Sequence, residues 1–192
     1  MRRRWPFTYW TALILAIAAL GYFGGRWALS AAYPLKYRPI LFARAEESGL
    51  SPYLVAAVIR AESGFRPGAT SSQGARGLMQ VMPETGEWAA KQLGLPYSPD
   101  LLYDPDYNIR LGCWYLASLR EEFAGDMVLA LAAYNGGRGN VEKWLSERQW
   151  TGEHHTLDQI PFKETRNYVA KVLRDYTRYE RIYTNGHDRS GR

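Results

Sequence analysis

The chain has 192 residues, 46% of them hydrophobic and 14% aromatic, enough for one domain with its own core plus an appendage. Of its net charge of +5, all but +1 comes from Arg2, Arg3, Arg4 and Arg26 in an acid-free stretch 1–33; residues 34–192 are nearly neutral and lack the basic field that nucleic-acid binding requires. The single cysteine, Cys113, excludes an intramolecular disulfide and a cysteine-based zinc site. Its apolar setting, Gly112-Cys113-Trp114-Tyr115-Leu116, predicts a buried structural thiol.

The N-terminus carries a membrane signal. Arg2-Arg3-Arg4 precedes an uncharged stretch from Trp5 to Gly25, just long enough for a spanning helix of about 20 residues. The basic cluster should stay cytoplasmic and place the rest of the chain outside, with Trp5, Tyr9, Trp10 and Trp27 at the two interfaces. The rival assignment is a cleaved signal with Ala28-Leu29-Ser30 as the cleavage site, which Arg26 and Trp27 separate awkwardly from the apolar core. Single-pass anchoring is the expectation, with secretion after cleavage as the alternative; both put the domain on the extracytoplasmic side.

The remainder reads as helix after helix, with little strand alternation and no internal repeat. The spacing predicts helices over 36–48, 51–63, 83–93, 106–123, 126–134, 138–147 and 163–182, punctuated by Gly49, Pro83 and Gly125. The expected fold class is all-α, with at most a minor hairpin. The expected organisation is an anchor over 1–33, a domain over 34–183 and a polar, frayed tail over 184–192.

The second of these helices carries the chemistry. Ser51 suits an N-cap and Pro52 the first helical position. Leu54, Val55, Val58 and Ile59 form an apolar stripe whose next position, one turn on, is Glu62. A carboxyl ending an apolar stripe is desolvated, which disfavours its anion and raises its pKa as a general acid requires. The plainer alternative is a helix-end carboxylate paired with Arg60 or Arg66. A long irregular loop with four glycines, Gly64 to Gly77, follows directly, and loops of that length in small domains are often functional.

Further motifs appear in order: Glu62-Ser63-x-Phe65; Pro67-x-Ala69-x-Ser71-x-x-Gly74-Ala75-x-Gly77-Leu78-Met79-Gln80; Asn108-Ile109 with Gly112 and Tyr115-Leu116; Ala133-Tyr134-Asn135-x-Gly137; and Glu164-Thr165-Arg166-x-Tyr168-Val169. Together, over about 37–183, they resemble the catalytic domain of the soluble lytic transglycosylases, which has a goose-lysozyme-like helical fold. The resemblance implies a peptidoglycan glycan strand as partner and Glu62 as the single acid/base. It implies a substrate groove of Ser63, Met79, Gln80, Tyr134, Asn135, Glu164 and Tyr168. In that groove Tyr134 would orient Glu62, and Ser63, Gln80 and Asn135 would hold N-acetyl and hydroxyl groups. Met79 would pack on a sugar face, and Glu164 and Tyr168, one turn apart, would both face the substrate. Tyr168 and Met79 also fit as plain core, and Glu164 as a helix-end charge paired with Arg166.

Ordinary glycosidases use two carboxylates. With one, the acid first protonates the bridging oxygen; its anion then deprotonates the substrate's own 6-hydroxyl, which closes on C1 to leave a 1,6-anhydro-N-acetylmuramic acid end. The 2-acetamido group is a further candidate to assist the oxocarbenium-like state. A hydrolytic muramidase of the same fold is the alternative enzyme, and an idle wall-binding module the alternative of another class. No cofactor or metal is expected: His154-His155 are adjacent and lack a suitably spaced third ligand. Gly136-Gly137-Arg138-Gly139 lacks the strand and the Lys-Ser/Thr of a phosphate loop. Protein partners are not indicated.

Overall fold

In a computed structural model the described residues are 7–184. The Arg2-Arg3-Arg4 cluster, Trp5 and residues 185–192 lie outside them. Helix α1 (Phe7–Ala32) contains a 21-residue apolar run, Tyr9–Leu29, long and apolar enough to cross a membrane. None of that run is buried, and Tyr9, Trp10 and Trp27 are exposed.

The domain follows as α2 (Arg38–Glu47), α3 (Pro52–Glu62), α4 (Pro83–Gln92), α5 (Pro105–Glu122), α6 (Met127–Gly136), α7 (Arg138–Ser146) and α8 (Lys163–Tyr183), with 3₁₀ turns at Pro99–Tyr103 and His154–Gln159. Each of the seven helices expected in the domain is present, with ends shifted by a residue or two. The two 3₁₀ turns lack a periodic signal, being too short to show one. No strand occurs among the described residues; the minor hairpin reduces to isolated bridges of Arg76 with Thr70 and with Val81.

Helix α3 is more deeply set than an amphipathic stripe predicts: Leu54, Val55, Ala56, Ala57, Val58 and Ile59 are all buried. The small Ala56 and Ala57 fill the side that a surface helix would leave polar, so α3 runs through the middle of the domain. It packs chiefly against α8 and α2, while α5 packs on α2, α4 and α6. Ser51 occupies the N-cap position but makes no capping hydrogen bond; Pro52 starts the helix instead. Side-chain caps occur elsewhere, at Asp104 for α5 and Asp126 for α6.

The end of α1 is fastened to the domain. Tyr33 is buried edge-on against Tyr179 at 5.5 Å. The Tyr183 hydroxyl donates to the Tyr33 carbonyl at 2.7 Å, and the Arg60 guanidinium reaches Ala32 O at 3.3 Å. Cys113 is buried in α5, where burial raises its thiol pKa far above the ordinary value. It is an inert core thiol.

Candidate active site

Glu62 is the last residue of α3, half-buried, and it lines a groove of about 530 Å³ with Gln80, Met82, Tyr134, Asn135 and Glu164. Neither arginine near it in sequence pairs with it. Arg60 is bonded to buried Asp175 at 2.6 Å, and Arg66 donates to Ser63 O at 2.9 Å. The ion-paired alternative for Glu62 is therefore absent from the structure. Burial pushes its pKa from 4.5 up to about 7, aided by the nearby charge of Glu164 and partly opposed by the Tyr168 hydroxyl and the Lys171 ammonium.

These three neighbours share one stripe of α8. Glu164, Tyr168, Lys171 and Asp175 are spaced four, three and four residues apart, so they stand on one helix face. That face meets the last turn of α3: Asp175 takes Arg60, Lys171 Nζ donates to Ala61 O at 3.2 Å, and Tyr168 and Glu164 flank Glu62. Tyr168 is buried, and its hydroxyl has no partner within hydrogen-bonding geometry. It lies close enough to Glu62 to favour the carboxylate.

The loop after α3 forms the groove's wall. Gly77 N donates to Ala69 O at 2.9 Å and Ser71 N to Ala75 O at 2.9 Å, folding 69–81 back on itself. Gln80 adopts a left-handed φ of 50°, held because its amide nitrogen donates to Gly77 O at 2.9 Å and to Ala69 O at 3.2 Å. Both amide hydrogens are thus committed, leaving its carbonyl oxygen as an acceptor at the groove. The loop is anchored from α5: buried Asn108 accepts from Met79 N at 2.7 Å and donates to Arg76 O at 2.9 Å and Leu102 O at 2.8 Å. A Cβ on Gly77 would lie 2.1 Å from Leu102 O, and one on Gly112 would lie 2.5 Å from the Met79 sulfur. These motif residues are scaffold for Gln80 and its neighbours.

Of the residues expected in the groove, Glu62, Gln80, Tyr134, Asn135 and Glu164 line it. Ser63 and Met79 do not. Ser63 is buried and gives its hydroxyl to Leu78 O at 2.7 Å, pinning the loop to α3. Met79 is fully buried against Gly112, so it packs in the core rather than on a sugar. Tyr168 stands behind Glu62 rather than along the groove wall. The Tyr134 hydroxyl donates to Met79 O at 2.9 Å and not to Glu62; the hydroxyl that acts on the Glu62 carboxyl is that of Tyr168. Glu164 is exposed, and Arg166, its expected partner, bonds Ile160 O at 2.8 Å instead. The exposed His155 contacts Glu153 at 3.1 Å.

Among the groove residues that sequence reading missed are Ser71, Gln73, Met82 and Phe162, and it also missed Lys171 beside Glu62. Ser71 was visible in a motif, and Lys171 in the spacing of α8. Phe162, 48% exposed and edge-on to Trp144 at 5.0 Å, left no sequence signal.

Residues 39–157 match the family described as Transglycosylase SLT domain. The match ends before α8; Glu164 and Tyr168 were expected from their motif, and Lys171 joins them at the site through the packing of α8 on α3. The soluble lytic murein transglycosylase of Escherichia coli K12 is 34% identical over 154 residues, covering 79% of this chain but 24% of that protein. The membrane-bound lytic murein transglycosylase C of Actinobacillus pleuropneumoniae serotype 5b is 31% identical over 173 residues, 77% of this chain and 46% of the other. An inactive mutant of lytic transglycosylase Slt from Pseudomonas aeruginosa superposes with a TM-score of 0.71 at 36% identity, over 87% of this chain and 29% of that one. The lysozyme-like helical fold expected from the motifs is thereby shown. The chain spans about a quarter of the length of the soluble relative.

Proposed function

The chain belongs to the SLT transglycosylase domain family, and from that membership we propose that it is a membrane-anchored lytic transglycosylase of peptidoglycan. It cleaves the β-1,4 bond between N-acetylmuramic acid and N-acetylglucosamine and leaves 1,6-anhydro-N-acetylmuramic acid ends. The observation that carries this reading is Glu62: an unpaired carboxyl, desolvated to a pKa of about 7, at the wall of an open groove. Such a group is neutral often enough to donate a proton near neutral pH and basic enough to take one back.

In the first step Glu62 protonates the glycosidic oxygen while C1 gains oxocarbenium character. In the second, its anion, steadied by the Tyr168 hydroxyl and the Lys171 charge, removes the proton from the 6-hydroxyl as that oxygen closes on C1. No water is consumed. The groove holds the sugar so that the internal nucleophile lies near C1, which replaces a second carboxylate by positioning. The Gln80 carbonyl oxygen accepts from an acetamido N–H, and Asn135, whose side chain makes no hydrogen bond among the described residues, takes N-acetyl or hydroxyl groups. Helix α1 anchors the domain on the extracytoplasmic face, a reading supported by its length and by the name of the membrane-bound relative.

One observation favours a second reading. Glu164 lines the same groove, and two carboxylates would suit a hydrolytic muramidase. The full-length protein in detergent, incubated with purified peptidoglycan, decides between them: mass spectrometry is expected to find anhydro-ended fragments, one water lighter than reducing ends. Predominant reducing ends would establish hydrolysis.

A further inference from the structure

Among the described residues outside α1, the large hydrophobic ones that remain exposed are Trp88, Leu101 and Phe162. Phe162 belongs to the catalytic groove and Leu101 stands alone. Trp88, on α4, is 43% exposed yet is not isolated. Its ring meets Trp114 edge-on at 4.9 Å and Tyr115 at 6.2 Å. Tyr115 meets Tyr134 at 5.4 Å, and Tyr134 lines the groove at Glu62. A continuous line of rings thus leads from the catalytic groove to an exposed indole.

The surface beside these rings is hollow along its length. A cavity of about 350 Å³ shares Gln80, Met82, Tyr134 and Asn135 with the catalytic groove and extends to Thr85 and Tyr115. A further cavity of about 380 Å³ begins at Thr85 and Tyr115 and runs on to Trp88, Glu122 and Arg138. The shared residues make the three hollows one trough across α4 and α5. Its far end has an aromatic wall and a polar rim of both charge signs: Glu84, Ser118, Glu122 and Arg138.

We propose that this far end is a distal sugar-binding site, in which Trp88 stacks on a pyranose ring of the same glycan strand several sugars away from the bond at Glu62. The inference rests on the glycan-strand reading above and deepens it. A pyranose ring has an apolar C–H face and an equatorial belt of hydroxyl and acetamido groups. It therefore needs an aromatic plane with donors and acceptors at its edge, which is the chemistry found here. Continuity with the catalytic groove selects the strand itself as the occupant. An exposed indole already braced by two rings loses little freedom on binding, so the stacking energy is kept. The site gives the enzyme a grip on long strands that short fragments cannot use.

The test compares wild type, Trp88→Ala and Trp88→Tyr, full-length in detergent, on soluble peptide-free glycan strands and on a tetrasaccharide. An aromatic stacking contact of about 1.4 kcal/mol corresponds to a tenfold change. Trp88→Ala is expected to raise KM about tenfold on long strands at unchanged kcat and to leave the tetrasaccharide unaffected, with Trp88→Tyr near wild type. Equal kinetics of Trp88→Ala and wild type on long strands, or equal losses on both substrates, overturn the proposal. Binding of the long strands to Glu62→Gln, with and without Trp88→Ala, separates the two claims. A protein that cleaves nothing but whose binding weakens about tenfold without Trp88 refutes the enzyme and keeps the site. Binding that ignores Trp88 removes the site whatever is cleaved.

Discussion

Replacing Glu62 by Gln keeps the volume and removes the titration. The rise of its pKa from 4.5 to about 7 corresponds to about 3 kcal/mol at 1.36 kcal/mol per pH unit. The sign follows from linkage: a carboxyl whose folded pKa lies above its unfolded value contributes stability that is fully present below about pH 4.5 and is lost as pH rises through about 7. Wild type should therefore lose up to about 3 kcal/mol between pH 4 and pH 8 from this residue, and Glu62→Gln should not. At about 2–4 °C per kcal/mol for a chain of this size, the variant should melt roughly 6–12 °C above wild type at pH 8 and level with it at pH 4. Its glycan-strand cleavage should fall at least about a thousandfold, since acid and base roles each supply about 10²–10⁴. Thermal unfolding in detergent across this pH range, beside cleavage assays, checks both. A melting difference that does not change with pH would show that Glu62 is not desolvated, and cleavage within tenfold of wild type would refute its role as the acid.

Tyr168→Phe removes a buried hydroxyl that has no geometric partner, so it should leave stability equal or slightly higher while raising the Glu62 pKa; the alkaline limb of the rate profile should move up in pH as the rate falls, and a strongly lowered melting temperature would contradict this. Glu164→Gln removes a like charge and should move that limb down in pH with a much smaller loss of rate than Glu62→Gln; a loss as deep would assign Glu164 to the chemistry. Lys171→Met removes a cation and should move the limb the opposite way, read from the same pH–rate profiles. Gly77→Ala places a Cβ 2.1 Å from Leu102 O at a φ of 78° and should cost about 3 kcal/mol or more; unfolding by urea measures it, and a loss under 1 kcal/mol would show that the loop yields.

The helices were legible because each has a period, a cap or a proline at its start, and Glu62 was legible because it continues an apolar face of α3. Its partners were half legible. Glu164 and Tyr168 stand in a motif, but that they meet Glu62 depends on α8 lying along α3, which no local pattern encodes. The same gap explains Ser63 and Met79. A serine next to the acid and a methionine in a motif look like groove residues, yet the reversal of the chain at 69–81 turns both inward. There Ser63 holds Leu78 O, and Met79 takes the space that Gly112 leaves. The motif glycines and Asn108 were legible as a pattern but not as a cause; only contact with Leu102 and Arg76 shows that they shape the wall bearing Gln80.

A group that first gives and then recovers a proton needs a pKa near the working pH in both directions. Burial alone would hinder the first step, because a fully desolvated carboxyl holds its proton too firmly to give it up as an acid. The α8 stripe sets the balance. Glu164 adds to the rise, whereas Tyr168 and Lys171 stabilise the anion, and the outcome is a value of about 7 instead of the ordinary 4.5. All three stand on the helix face that also carries Asp175, bonded to Arg60 two residues before Glu62. The same Arg60 holds the carbonyl of Ala32, the last residue of α1. The contact that seats α8 on α3, and so fixes the distances that tune the acid, is thus also the contact that joins the apolar N-terminal helix to the domain.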